Sequence, residues 1–187
     1  MTFLVHLHNA AFSRVEAAAP VVMPTLARLI FAATLLLYYI NSGLLKFGDG
    51  LAGLFSPSLS AYASIFPKAF EAAGYDVSQM GTFHWAVALA GTWAEIILPV
   101  LIVIGLFTRI AALGMVVFVI VQSIVDIYGH GIAASDIGSW FDGLPTGLIV
   151  DQRAFWVFLL LFLVFRGAGP LSADRLLMAR RAEPVPA

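Results

Sequence analysis

Glu95 is the first chemical anomaly of this chain, because the apolar run from Phe83 to Phe107 contains no other Asp, Glu, Lys or Arg. An acidic side chain at that depth of a bilayer costs about 3 kcal/mol on an insertion scale, so something must offset it. Helical steps back from Glu95 put Gly91, Ala88 and His84 on one face, with Thr92 beside them. That is a surface of mostly small residues, where another helix can approach closely. Lys46, Arg153 and His84 are the donors available to answer the carboxylate.

Two other runs carry polar stripes. Gln122, Asp126 and His130 recur every four residues, and Arg28, Leu35, Tyr39, Ser42 and Lys46 share a face because eighteen residues make about five helical turns. If the apolar faces meet lipid, the stripes meet inside and form a polar pocket in the outer half of a bundle. One reading is a site for a small redox or proton-carrying molecule: Glu95 accepts a proton, Lys46, Arg153 and His84 donate, and Tyr39, Ser42, Gln122 and Asp126 help to line it. The other reading is a hydrogen-bond network that fixes helix register, and for Gln122, Ser42 and Asn41 this is the better one. His84 and His130 suit a heme held by two imidazoles, or a metal completed by Asp126, but bis-His bundles bury their ligands deeper, so heme is disfavoured. No phosphate-binding glycine loop, zinc-helix motif or nucleophile elbow is present.

The elements that must hold these residues follow from composition. The 187 residues are 61% hydrophobic and 11% charged, with a mean hydropathy of +0.95. Too few polar residues remain to coat a soluble core of this size, so the main solvent is lipid. A net charge of -1 argues against nucleic-acid partners, and the lack of cysteine excludes disulfide exchange, thiolate zinc sites and cysteine-held iron-sulfur clusters in this chain. Apolar stretches long enough to cross about 30 Å of hydrocarbon run from Thr25 to Lys46, Phe83 to Phe107, Ile110 to Tyr128, and Arg153 to Arg166 with an extension into Leu148 to Asp151. Lipid leaves each span no backbone partner but itself, which predicts an all-α, four-helix membrane bundle in a single domain, 1–187.

Arg14, Arg28, Arg109, Arg166, Arg175, Arg180 and Arg181 fall on one side, against Lys46, Lys68 and Arg153 on the other. The bias predicts that both termini are cytoplasmic and that Arg109 and Arg166 anchor the inner ends at the headgroups. Trp85, Tyr128, Trp140 and Trp156 are expected as an outer aromatic belt. The N-terminus lacks the basic start and continuous apolar core of a signal peptide, and residues 1–20 read as a short amphipathic helix lying on the membrane, or as a disordered leader. The periplasmic segment 47–81 is too apolar for a linker. It reads as an interfacial lid of two short helices, one starting at Ser56-Pro57 and one over Pro67 to Ala73 ended by Gly74. Residues 182–187 read as a flexible tail.

The motifs together resemble the DoxX family of small bacterial and archaeal membrane proteins. Asn41-Ser42-Gly43-Leu44-Leu45-Lys46 is similar to the family's Ser-Gly-x-x-Lys end of helix one, and Glu95 stands at its acidic position in helix two. Gly105-Leu106-Phe107-Thr108-Arg109 is similar to its Gly-Leu-x-x-Arg inner turn, and Arg166 to Asp174 to its Gly-x-Gly-x-x-Ser-x-Asp exit from helix four. The stretch from Gly50 to Met80 and the extended N-terminus depart from the pattern. The resemblance implies a four-helix inner-membrane protein tied to sulfur, thiol or oxidative-stress chemistry, in some members within a quinone-reducing thiosulfate oxidoreductase. With no redox-active side chain beyond aromatics and methionines, the chain would take electrons from a bound cofactor or a partner protein, quinone being the small molecule in view. The alternatives are a scaffold or assembly subunit of a larger membrane complex, and a small proton-coupled or metal-related carrier.

Overall fold

A computed structural model describes residues 2–181; the expected tail, 182–187, lies outside the described residues. Helix α1 spans Thr2–Leu44, α2 Leu59–Ile65, α3 Pro67–Ala72, α4 Thr82–Ile104, α5 Thr108–His130, α6 Ala134–Ile137, α7 Leu148–Arg166 and α8 Ala173–Arg181. Four of these, α1, α4, α5 and α7, are long and apolar enough to cross a membrane. Apart from an isolated bridge between Phe47 and Pro57, the regular structure of the described residues is helical. The expected four-helix architecture is therefore observed.

The core is small because the outside is apolar too. Phe31, Leu35, Tyr39, Ile102, Met115, Val119, Leu160 and Leu163 fill the centre, while Leu29, Ile110, Phe158 and Phe165 stand well exposed on the outer faces, as lipid contact requires. Gly43 lets α1 approach α4: a Cβ there would meet the Ile96 side chain at 2.7 Å. Arg28 meets the far end of α4, so the two helices run antiparallel.

Three local expectations change. Residues 2–20 do not form a separate element: the helix continues unbroken through Pro20 and Pro24 into the first span. The first lid helix begins at Leu59 with Ser58 in extended backbone before it, because Pro57 is drawn into the bridge with Phe47 and the Ser58 hydroxyl donates to the Leu45 carbonyl. The second lid helix is found at Pro67–Ala72, with Gly74 in the left-handed conformation after it. The lid packs through Ala61, Tyr62 and Phe70 against Ala88 of α4, and burial raises the Tyr62 hydroxyl pKa above its ordinary value. Trp93 Nε1 donates to the Leu54 carbonyl and Trp85 Nε1 to that of Phe55. Of the expected belt, Tyr128 and Trp140 are exposed, but Trp156 turns inward against Tyr38 and beneath the Arg153 guanidinium.

Candidate functional site

Side chains of a helix lean toward its own N-terminus, so Lys46 reaches back along α1 while Glu95 on the antiparallel α4 reaches toward it. They meet. Lys46 Nζ lies 2.7 Å from both Glu95 oxygens and 2.6 Å from Ser42 Oγ, so its three protons have three acceptors. Both residues are buried, at 6% exposure each. Of the donors weighed for Glu95, the structure selects Lys46.

Arg153 is taken by another carboxylate. Its Nη2 binds Asp126 Oδ2 at 2.5 Å and its Nη1 binds Ser123 Oγ at 2.9 Å. Tyr39 Oη donates to Gln122 Oε1 at 3.3 Å, and Gln122 Nε2 donates to Tyr38 Oη at 2.8 Å. Tyr38 and Ser123 were not singled out in the sequence; the only signal for them was adjacency to Tyr39 and Gln122. Each member of this second network lies in or beside a widened helical turn. Tyr39 follows the π-helical stretch Ala32–Leu36, Asp126 belongs to Val125–His130, and Arg153 follows Leu148–Gln152. Such turns displace side chains from the register a regular helix would give.

A cavity of about 500 Å³ lies against the first pair, between α4 and α5. Lys46, Glu95 and Ser42 form its inner wall, with Gln122, Asp126 and His130 along α5 and Ser64 and Ile65 of the lid above. Most of the remaining lining is aliphatic. Val87, Val117 and Val121 belong to it while being 36%, 54% and 51% exposed, so its mouth faces sideways toward lipid rather than along the bundle axis. The expected polar pocket is thus a polar wall behind an apolar entrance. Tyr39, His84 and Arg153 are not among its lining residues. His84 packs against the rings of Phe66 and Phe83, with Nδ1 buried and unpartnered. His130 Nε2 is 3.1 Å from the Ser64 carbonyl oxygen, so the two histidines have different neighbours.

The opposite end of the bundle carries the other motifs. Arg28, expected among the basic residues of the inner loops, is buried instead. Its guanidinium donates to the carbonyls of Ile102 and Val103 at the end of α4 and of Ala168 and Leu171 just beyond α7, the Ile102 carbonyl also accepting from the Gly105 N–H. Asp174 accepts from the backbone N–H groups of Phe107 and Thr108 and so caps α5, while Ser172 Oγ accepts from the N–H of Arg175 at the start of α8. Gly105 has φ +73°, and a Cβ there would lie 2.8 Å from the Arg28 guanidinium carbon. These contacts join the inner turn, the exit from α7 and the first span in one knot.

The DoxX family model matches residues 23–126, more than half of the chain. The chain belongs to the DoxX family. This DoxX protein is an integral membrane protein, and lipid is its immediate surroundings. The match takes in the Lys46–Glu95 pair and the inner turn and ends before the fourth span. No curated protein and no solved structure matches the chain.

Proposed function

We propose that this DoxX protein is a membrane-embedded accessory subunit of a redox system, holding the head of a quinone or similar lipophilic carrier over the Lys46–Glu95 pair. The observation that carries the reading is a buried ion pair at the back of a cavity whose aliphatic mouth faces the acyl chains. A carrier that lives in the bilayer can enter there without crossing water. Reducing one quinone to the quinol takes two electrons and two protons. The electrons come from a partner redox protein or larger complex, and Lys46 is placed to give a proton to a carbonyl oxygen, with Glu95 holding the ammonium and relaying its replacement. Asp126, Gln122 and Ser42 line the route, while Tyr39, Arg153 and His84 act behind it by fixing α1, α5, α7 and the lid.

In this reading the protein sits in the bacterial inner membrane with both termini cytoplasmic, the lid 47–81 on the periplasmic side, and Arg109 and Arg166 at the inner headgroups. The experiment is extraction of the purified protein with organic solvent and identification of co-purified quinone, for the wild type and for Glu95→Gln. Quinone held by the wild type and lost from a well-folded Glu95→Gln supports the proposal. Equal quinone in both, or none in either after purification from quinone-rich membranes, overturns it.

One observation favours the scaffold reading as the competitor: Lys46 already has an internal acceptor for every proton. A pair that only sets register would tolerate an apolar replacement of both partners with activity intact.

A further inference from the structure

A second crevice, of about 810 Å³, opens at the arginine-bearing end between the inner turn, the exit from α7 and α8. Arg109, Arg166 and Arg175 line it, and among the described residues their side chains have no hydrogen-bond or ion-pair partner. Asp174 also lines it, but both its oxygens are already engaged by the backbone of α5. Three cations against one occupied carboxylate leave the crevice strongly positive, with the N-terminus of the 23-residue α5 adding its dipole. An independent sign points to a ligand: Thr108, 0% exposed, lines the same crevice, and its Oγ1 is a buried polar atom with no partner. Buried hydroxyls are nearly always paired, so this one calls for an acceptor that is not part of the chain.

We infer that this crevice binds the phosphate headgroup of an anionic phospholipid. Arg109, Arg166 and Arg175 supply charge-assisted hydrogen bonds, and the Thr108 hydroxyl donates to a phosphate oxygen. A lipid is favoured over a free phosphate because the crevice is continuous with an acyl-chain track. Ile110 lines it and is 72% exposed, and Leu113, also exposed, follows on the same face of α5. The site is separate from the Lys46–Glu95 cavity and stands whether or not a quinone binds there.

The test is lipid retention by the purified full-length chain in a neutral detergent, read by native mass spectrometry after exchange with phosphatidylglycerol or phosphatidylcholine. The expected result is a preference of about tenfold or more for phosphatidylglycerol, reduced to near parity in Arg109→Gln/Arg166→Gln/Arg175→Gln. These three side chains are exposed, so their loss leaves the fold intact; Thr108→Val gives a second handle, expected to weaken retention without the removal of a charge. Equal retention of both lipids by the wild type, or an unchanged preference in the triple variant and in Thr108→Val, overturns the inference. Displacement of phosphatidylglycerol by an equal concentration of inorganic phosphate also overturns it, in favour of a soluble anion.

Discussion

Lys46 and Glu95 neutralise each other completely, so the energetic question is what happens when one is left alone. Removing the ammonium strands a carboxylate in an apolar wall, for which breaking a buried pair costs about 3–5 kcal/mol. Lys46→Met is therefore expected to lower thermal stability in detergent sharply, while Lys46→Met/Glu95→Leu recovers most of the loss; a double variant as unstable as the single one would show that the pair contributes more than mutual neutralisation. Gly43 is the neighbour that permits the pair to form. Gly43→Val pushes into Ile96 and the Glu95 Cβ, an overpacking expected to cost about 1–3 kcal/mol, measurable as a lowered unfolding temperature. At this scale the sequence was informative about which residues are anomalous and silent about their pairing. Glu95 stood out through its cost in lipid, yet Lys46, Arg153 and His84 were all eligible donors until the antiparallel packing of α1 and α4 set Lys46 within reach.

The helices themselves were legible because a bilayer demands an unbroken apolar run; the last three spans were found near their expected limits, while the first begins at Thr2 instead of Thr25. Their irregular turns were not, since nothing in the Ala32–Leu36 or Val125–His130 composition distinguishes a π turn from an α turn. The lid's first start was misplaced by reading Ser56-Pro57 as a helix opening, when long-range pairing of Pro57 with Phe47 governs that stretch. Capping at the opposite end gives a firm prediction. Asp174→Ala frees two N–H groups at the start of α5 and is expected to destabilise the protein by about 1–2 kcal/mol, with Asp174→Asn milder, as read by thermal unfolding. Within the lid, Asp76 accepts from the Ser78 hydroxyl and N–H, and these bonds hold its carboxyl below the usual range. A depressed carboxylate stabilises its turn above the ordinary pKa and loses that effect as pH falls through the lowered value. The protection factor of the Ser78 amide, its exchange rate corrected for the intrinsic pH dependence, is thus expected to fall under acid in the wild type and to be low at all pH values in Asp76→Ala.

At the scale of the whole molecule, three of the cations used to sort inside from outside prove to be interior: Arg28, Lys46 and Arg153 are each at most 9% exposed. Removing them from the tally leaves Lys68 alone against Arg14, Arg109, Arg166, Arg175, Arg180 and Arg181, so the predicted orientation stands on the remaining residues. The natural absence of cysteine makes the check direct. Single cysteines at Glu16 and Leu176 are expected to react with a membrane-impermeant maleimide only after the inner face is opened, and those at Lys68 and Asp142 in intact spheroplasts; any other pattern refutes the topology.

A helix of 43 residues measures about 65 Å, roughly twice the thickness of the hydrocarbon it crosses. Its first seventeen positions, 2–18, stand exposed, and Pro20 and Pro24 each delete one backbone bond where this stalk meets the bundle. Nothing but local propensity sustains the stalk, and an isolated helix of that size is only marginally stable in water. One continuous rod should therefore exchange deuterium at two speeds, within seconds to minutes before the prolines and far more slowly beyond Phe31, where neighbouring helices close over it.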